Sequence, residues 1–394
     1  MNTSIIMKSI LCVILGLYAV NNIKPNILTR ILTSLCLLDL LSTDAAFADA
    51  IPNPNHYQIQ GDSIRFIFNA EDADMVILDV HPELKTISFQ CSENSFGIDP
   101  RLVPIKITDA GFAHVAACTN LENLFLSQMH PLEVTDAGLK SIEGLRRLRR
   151  VILDFTPFNS AGLSHLEGLT NIQELWVEQN ENFDNASMGH IACLKNLRDL
   201  RFHRSAVTDA GLAKLKDLSQ LEDLQLGGTQ VGDAGLKVIG GFANLKTLDL
   251  QHTRVTDAGL KYLKPLTNLQ WLCLDGTKID DKGIAQLSTL TNLQWLMIEG
   301  TEIGDGTMVR LQKMSDLQTL HLSNTRVTDA GLQKLVELKK LNYMHLNGLP
   351  LTDDAVNSLL KLKSLSILEL NGTKITPAGF DRLTAAGVKI WNRR

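Results

Sequence analysis

The stretch V255-TDAGLKYLKPLTNLQWLCLDGT-277 returns, largely intact, when the sequence is shifted by 24 residues in either direction. Aligned on its TDAGL phrase, related copies begin at Thr108, Thr135, Asn159, Asp184, Thr208, Gly232, Thr256, Asp280, Gly304, Thr328, Thr352 and Thr376. From Thr208 onward each step is 24 residues, and the earlier steps are 27, 24, 25 and 24. A fixed period of this size marks an array of stacked supersecondary units.

Each unit has two halves. One is a short strand of pattern LxxLxL, as in Leu221, Leu224, Leu226 and Leu245, Leu248, Leu250. The last two leucines of each set are two positions apart and so share one strand face. The other half is a short helix. Leu260, Leu263 and Leu266 recur every third residue, which suits a narrow stripe on an α or 3₁₀ segment. Thr256 or Asp257 stands where an N-cap accepts a hydrogen bond, and the repeat-spaced Asp209, Asp257 and Asp329 read as caps rather than catalytic acids. Gly259 reads as room for close helix-to-strand packing. A single unit cannot bury both apolar faces, but stacked units can. Parallel strands lie ~4.8 Å apart and packed helices ~8–10 Å, so the stack is expected to curve with its strands inside.

The pattern resembles the leucine-rich-repeat family. The motif LxxLxLxxNxL is matched by LEDLQLGGTQV (221–231), LKTLDLQHTRV (245–255) and LNYMHLNGLPL (341–351), and the resemblance spans about residues 64–390. It implies an α/β leucine-rich-repeat solenoid, curved and right-handed, with a parallel β-sheet on the concave face and short α/3₁₀ helices on the convex face. The family commonly carries Asn at the ninth motif position, where it bonds neighbouring turns. This chain has Thr229, Thr253, Thr277, Thr301, Thr325 and Thr373 there, and Asn only at Asn180. The TDAGL subtype is similar to bacterial leucine-rich-repeat proteins and, more distantly, to the repeat part of F-box substrate receptors, although no F-box domain precedes the repeats.

The flanks differ from the array. Lys8 precedes the apolar run 10–20, Arg30 precedes the run 31–41, and AFADA follows with an A-x-A arrangement. These are the parts of a secretory leader over residues 1–48, with an uncleaved N-terminal anchor as the alternative. Residues 49–394 then read as one solenoid of about 12–13 repeats, capped by 49–83 and 385–394, with no membrane insertion of the mature chain. The link from Phe89 to Ile107 spans 18 positions against 5 from Leu226 to Val231, so 90–106 reads as an inserted loop on one face. The six cysteines show no regular spacing, and the fold must stand on packing. A net charge of -5 argues against a nucleic-acid partner.

Function is expected at the third, fifth and seventh strand positions, which face away from the leucines. The fifth positions run Ser88, Phe125, Ile152, Trp176, Arg201, Gln225, Asp249, Cys273, Met297, His321, His345, Glu369. Two patches stand out, since Trp, Tyr and Arg dominate binding hot spots. One joins Phe125, Ile152 and Trp176 with Arg150 and Arg201. The other joins Trp271, Trp295, Met297, His321, Tyr343 and His345. TNLQW occurs at both 267–271 and 291–295, so repeat duplication accounts for the paired tryptophans as well as contact does. The run LRRLRRV (145–151) has acidic neighbours and reads as a solvated face.

The ladder Cys273, Met297, His321, His345, Glu369 is metal-like in composition, but a ladder is expected to diverge outward, so no metal site is assigned. There is no Gly-rich phosphate loop, HExxH, GxSxG or EF-hand motif. These readings give an exported, non-enzymatic binding scaffold that needs no cofactor. Its concave face would take a protein partner, or alternatively an envelope glycan or polysaccharide, or a substrate in the manner the F-box-receptor resemblance implies; an envelope spacer with no specific partner is a further reading. A metal-assisted hydrolase on His321, His345 and Glu369 is the least favoured reading.

Overall fold

A computed structural model describes residue 53 and residues 56–66, 70–89, 105–126 and 133–391. The leader 1–48 and most of the inserted loop, 90–104, lie outside the described residues. The rest forms two compact units, one ending at Asn180 and the other beginning at Glu181.

In the first unit, strands β1 (Tyr57–Gln60) and β2 (Ser63–Phe66) form an antiparallel hairpin. Strands β3 (Thr86–Phe89), β4 (Asn123–Phe125), β5 (Arg150–Ile152) and β6 (Glu174–Trp176) then follow in parallel. The cap region 49–83 thus opens on a hairpin, whose second strand starts the parallel array. Two residues between β1 and β2 are too few for the crossover that a parallel neighbour needs. Phe66 stacks on Phe89 with centroids 5.0 Å apart, closing the core where leucines give out.

The second unit holds nine strands, neighbours in space as in sequence. They are β7 (Asp199–Arg201), β8 (Asp223–Gln225), β9 (Thr247–Asp249), β10 (Trp271–Cys273), β11 (Trp295–Met297), β12 (Thr319–His321), β13 (Tyr343–His345), β14 (Ile367–Glu369) and β15 (Lys389–Ile390). Every pairing from β7 to β15 is parallel and joins equivalent repeat positions, for example Leu248↔Leu272↔Leu296.

The inward leucines behave as their spacing predicts. Leu245, Leu248, Leu250, Val255, Leu260, Leu263 and Leu266 have no exposed surface. The helical half is an α-turn, Asp257–Leu260, continued by a 3₁₀ turn, Lys261–Leu263, which keeps the three-residue leucine spacing on one side. Thr256 is the N-cap, its Oγ1 accepting from the Ala258 N–H.

Two local roles differ from the sequence reading, and a third follows it. First, the repeat-spaced aspartates are not caps of their own helices; each reaches forward to the next repeat. Asp233 Oδ1 accepts from the Thr256 N–H at 2.9 Å, and Thr256 Oγ1 donates to Asp233 Oδ2 at 2.7 Å. The same pair of bonds joins Asp305 to Thr328 and Asp329 to Thr352, and in the first unit Asp72 to Thr108 and Asp109 to Thr135. The preceding Thr already fills the N-cap, so the Asp one position on is left to satisfy the cap residue of its neighbour.

Second, the glycine serves this ladder rather than helix-to-strand packing. A Cβ on Gly259 would lie 2.3 Å from Asp233 Oδ1, and one on Gly283 2.2 Å from Asp257 Oδ1. Where Thr307 replaces the glycine, its hydroxyl donates to Asp281 at 2.6 Å instead.

Third, the ninth-position threonines do not rebuild an asparagine ladder. Thr253, Thr277, Thr301 and Thr325 each donate to the carbonyl three residues back, closing their own turn. Asn180, with a longer side chain, reaches the Phe158 carbonyl of the preceding repeat at 2.7 Å. The turn after each strand passes through the left-handed region, at Gly276 and Gly300 but also at His252, Asn324 and Phe155. Phe155 at φ 59 is half exposed, an uncommon setting for a bulky residue.

Among the described residues no helix is long and apolar enough to cross a membrane.

Candidate functional site

The strand register sets out the outward side chains of the second unit in rows. Trp271 pairs with Trp295, then Thr319, Tyr343 and Ile367; Cys273 pairs with Met297, then His321, His345 and Glu369. Trp271, Trp295, Met297, His321, Tyr343 and His345 are all half-buried, while the residue between the third and fifth positions, Leu272, Leu296, Leu320 or Met344, is fully buried. Their neighbours on the row are less open than expected. Cys273 is 2% exposed, and burial together with Asp275 holds its thiol protonated. Glu369 is 5% exposed.

The centre of this surface is a polar cluster. His321 and His345 stack with ring centroids 3.6 Å apart and planes within 13°. Tyr343 meets both rings edge-on, at 5.7 and 4.8 Å. His345 Nδ1 lies 3.0 Å from Glu299 Oε1, and its Nε2 lies 3.1 Å from Glu369 Oε1 and in contact with the Tyr343 hydroxyl. Tyr343 donates to Glu369 Oε1, and Asn347 donates to Glu369 Oε2. His321 Nδ1 stands 3.6 Å from Glu299 Oε1, and its buried Nε2 has no hydrogen-bond partner.

The side chains therefore converge, where the sequence reading has them diverge. Side-chain direction causes this: stacking holds the two rings together, and the carboxylate comes from Glu299 rather than from the ladder itself. Glu299 is the seventh position of its motif, two residues after Met297 and 24 after Asp275. It lies on the same outward face, and its alternation with Met297 is the signal that finds it.

Charge is unevenly held here. Burial, then the proximity of His345, pushes His321 down to about 4, so its imidazole is neutral at pH 7. Burial pushes Glu299 up, but the hydrogen bond from His345 and the two imidazoles outweigh it and hold the carboxyl below its usual range. Burial, and secondarily the Glu299 charge, raise Asp275 to about 6 even though it accepts the Glu299 N–H at 2.6 Å.

Asp275 yields a pH-dependent expectation. A carboxyl whose folded pKa is raised favours the fold while protonated and loses that contribution as pH rises from its unfolded value near 4 through about 6. Asp275→Asn keeps an acceptor for the Glu299 N–H without the charge. Its stability relative to wild type should climb between pH 4 and 6 and level off about 1–2 kcal/mol higher. Thermal melts across that range check it; a gap independent of pH would show that Asp275 carries no such penalty.

Further along the same unit, Arg201 forks to Asp199 at 2.9 and 2.8 Å and approaches Asp223 at 3.7 Å, so its charge is engaged locally. Burial, then the Asp199 charge, raises Asp223. His203 Nε2 is 2.8 Å from Asp249 Oδ2.

In the first unit, Phe125, Ile152 and Trp176 sit side by side on β4, β5 and β6. Phe125 and Trp176 are half-buried, but Ile152 is 5% exposed and offers little surface, contrary to its expected place in an open patch. Arg150 makes a two-pronged contact with Glu174, one prong at 2.7 Å. A shallow cavity of about 270 Å³ is lined by Glu122, Arg147, Arg149, Asn171 and Gln173, the mixed-sign surface expected of the LRRLRRV run.

The Leucine Rich repeat family model matches residues 219–240, 243–264 and 313–336. No curated protein matches the sequence. Solved structures do match. An internalin from Listeria monocytogenes is 19% identical with a TM-score of 0.58, covering 78% of this chain and 86% of its own. A leucine-rich-repeat protein of Leptospira interrogans is 20% identical with a TM-score of 0.59, covering 84% and 89%. The mouse RP105/MD-1 complex is 19% identical with a TM-score of 0.56, covering 81% of this chain and 57% of that one. Repeat pattern, strand order and these likenesses agree on the fold, which is that of leucine-rich repeats. That fold in general serves as a scaffold for protein interaction.

Proposed function

We propose that the chain is an exported scaffold that binds a protein partner on the outward face of strands β10–β13. The observation that carries this is the row Trp271, Trp295 and Tyr343, with Met297, His321 and His345 beside it. These side chains lie on the face opposite the core, where the alternating Leu272, Leu296, Leu320 and Met344 are fully buried. Half-buried aromatics with no packing duty are the anchors that protein interfaces use. The mouse RP105 likeness, solved as a complex with MD-1, is consistent with this use of the fold.

The adjacent Trp271 and Trp295 favour a second reading, because indole faces on neighbouring strands also stack on sugar rings. Immobilised full-length chain, offered a glycan array and, separately, a cell-surface protein fraction, separates the two. A saturable protein ligand and no glycan signal is expected. Glycan binding alone would replace the protein reading.

Export rests on Lys8, Arg30, the two apolar runs and the AFADA stretch. N-terminal sequencing of the protein from its native cells should begin at or near Asp49. A chain that starts at Met1 and stays inside the cell would remove export from this account.

A further inference from the structure

We propose that Glu299, His321 and His345 form a binding site for one divalent transition-metal ion, of the zinc class, on the outward face of strands β11–β13. One ligand atom from each lies within 4.8 Å of the other two. The Glu299 Oε1 distances to His345 Nδ1 and His321 Nδ1, 3.0 and 3.6 Å, bracket the separation of roughly 3.3 Å between ligands of a tetrahedral centre with ~2.0–2.1 Å bonds.

The donor set selects the metal. Two imidazoles and one carboxylate suit zinc, iron, cobalt, nickel or copper, and not calcium or magnesium, which take oxygen ligands. Cys273 lies on the same row but two strands from His321, and Met297 stands between them, so the site contains no thiolate.

Two further observations point to a ligand. The first concerns orientation. Metal-bound histidines usually donate their other ring N–H to a carboxylate, which fixes the tautomer. Glu369 Oε1 sits 3.1 Å from His345 Nε2, and Glu369 is itself held by Tyr343 and Asn347. Without metal, His345 donates from Nδ1 to Glu299; with an ion in place of that proton, Glu369 holds the remaining proton on Nε2 and leaves the Nδ1 lone pair to the ion. Glu369 is thus a positioning residue.

The second is His321 itself. It is 16% exposed at the side chain, its Nε2 is buried without a partner, and its Nδ1 is 3.6 Å from the nearest carboxylate oxygen. Neither nitrogen makes a hydrogen bond within the described protein, an arrangement that costs free energy unless something else bonds the ring. A metal on Nδ1 supplies that nitrogen's missing bond and leaves the ring proton on Nε2. Capture requires the stacked rings to turn about their Cβ–Cγ bonds so that their lone pairs converge on one point. The exposed side of the cluster leaves coordination positions for water or for a donor from a bound molecule.

The test uses untagged full-length chain, stripped with chelator and titrated calorimetrically with zinc chloride at neutral pH. One zinc per chain is expected, with a dissociation constant in the micromolar range or below. His321→Phe, which keeps an aromatic ring over His345, and Glu299→Gln should each weaken binding at least tenfold with unchanged melting temperature. Glu369→Gln should weaken it about tenfold, in the range seen for orienting carboxylates, while Co²⁺ added in place of zinc keeps the wild-type visible absorption bands. His203→Gln, in a histidine–carboxylate pair elsewhere on the same unit, should leave binding unchanged. Absence of zinc binding at 100 µM metal, or binding that neither Glu299→Gln nor His321→Phe weakens, would overturn the proposal. Should His321→Phe not fold, Glu299→Gln and the Co²⁺ spectrum decide the matter alone.

Discussion

Leu272→Ala should destabilise the protein by about 2–5 kcal/mol, and toward the upper end of that range. Leu272 is the middle residue of β10, has no exposed surface and lies in register between Leu248 and Leu296. Strands on both sides fix the backbone, so the space left by the side chain cannot collapse. The lost transfer energy is then joined by the full cost of a cavity. Thr256→Ala, in the same repeat, removes one cap and one donor to Asp233 and should cost only about 0.5–2 kcal/mol. Denaturant melts of the two variants side by side check the pair. Equal losses would mean that the inward and outward positions are wrongly assigned.

Asp233→Ala should cost about 1.5–3 kcal/mol, the range for hydrogen bonds to a charged group. The change removes both bonds to Thr256 and leaves its N–H without an acceptor at the start of the helix Asp257–Leu260. Asp233→Asn should restore most of the loss. The chain already contains this solution: Asn185 occupies the equivalent position, its Oδ1 accepting from the Thr208 N–H at 2.9 Å and its Nδ2 donating to Thr208 Oγ1 at 3.0 Å. If Asn does no better than Ala, the ladder depends on charge and not on paired hydrogen bonds.

The fold was legible because its cause is periodic. A leucine two positions from another on a strand, and three from another on a helix, leaves little choice of inward face, and Leu248 to Leu266 are buried accordingly. The N-cap was legible only to within one position, since Thr256 and Asp257 both suit it and Thr256 is the one that caps. Asp257 was misread because a cap and an inter-repeat acceptor call for the same side chain one position apart. Only the hydrogen bond from the Asp280 N–H, 23 residues away, separates the two roles.

Of the site, the rows were legible and the contacts were not. Position in the motif puts Trp271 beside Trp295 and His321 beside His345. It does not say that the imidazoles stack, that Glu299 folds back to both of them, or that Cys273 and Ile152 are buried. Those depend on side-chain torsions and on the size of adjacent residues, which a repeat pattern does not encode. Glu299 was within reach of the pattern, at the seventh position of its motif. The strands were read to their third and fifth positions, and the seventh carried the missing carboxylate.

The account of function stands most directly on Trp295. It is half-buried on β11, beside Trp271, and the next residue, Leu296, is fully buried on the opposite face. The decisive measurement is partner capture by wild type, Trp295→Ala and Lys261→Ala, each with its melting temperature. Lys261 lies exposed on the helical side of its repeat. Trp295→Ala should weaken binding by about 2 kcal/mol or more, roughly thirtyfold, with stability within ~0.5 kcal/mol of wild type. Lys261→Ala should retain both partner and stability. A Trp295→Ala protein that folds normally and holds the partner as tightly as wild type would contradict the assignment of this face as the binding surface.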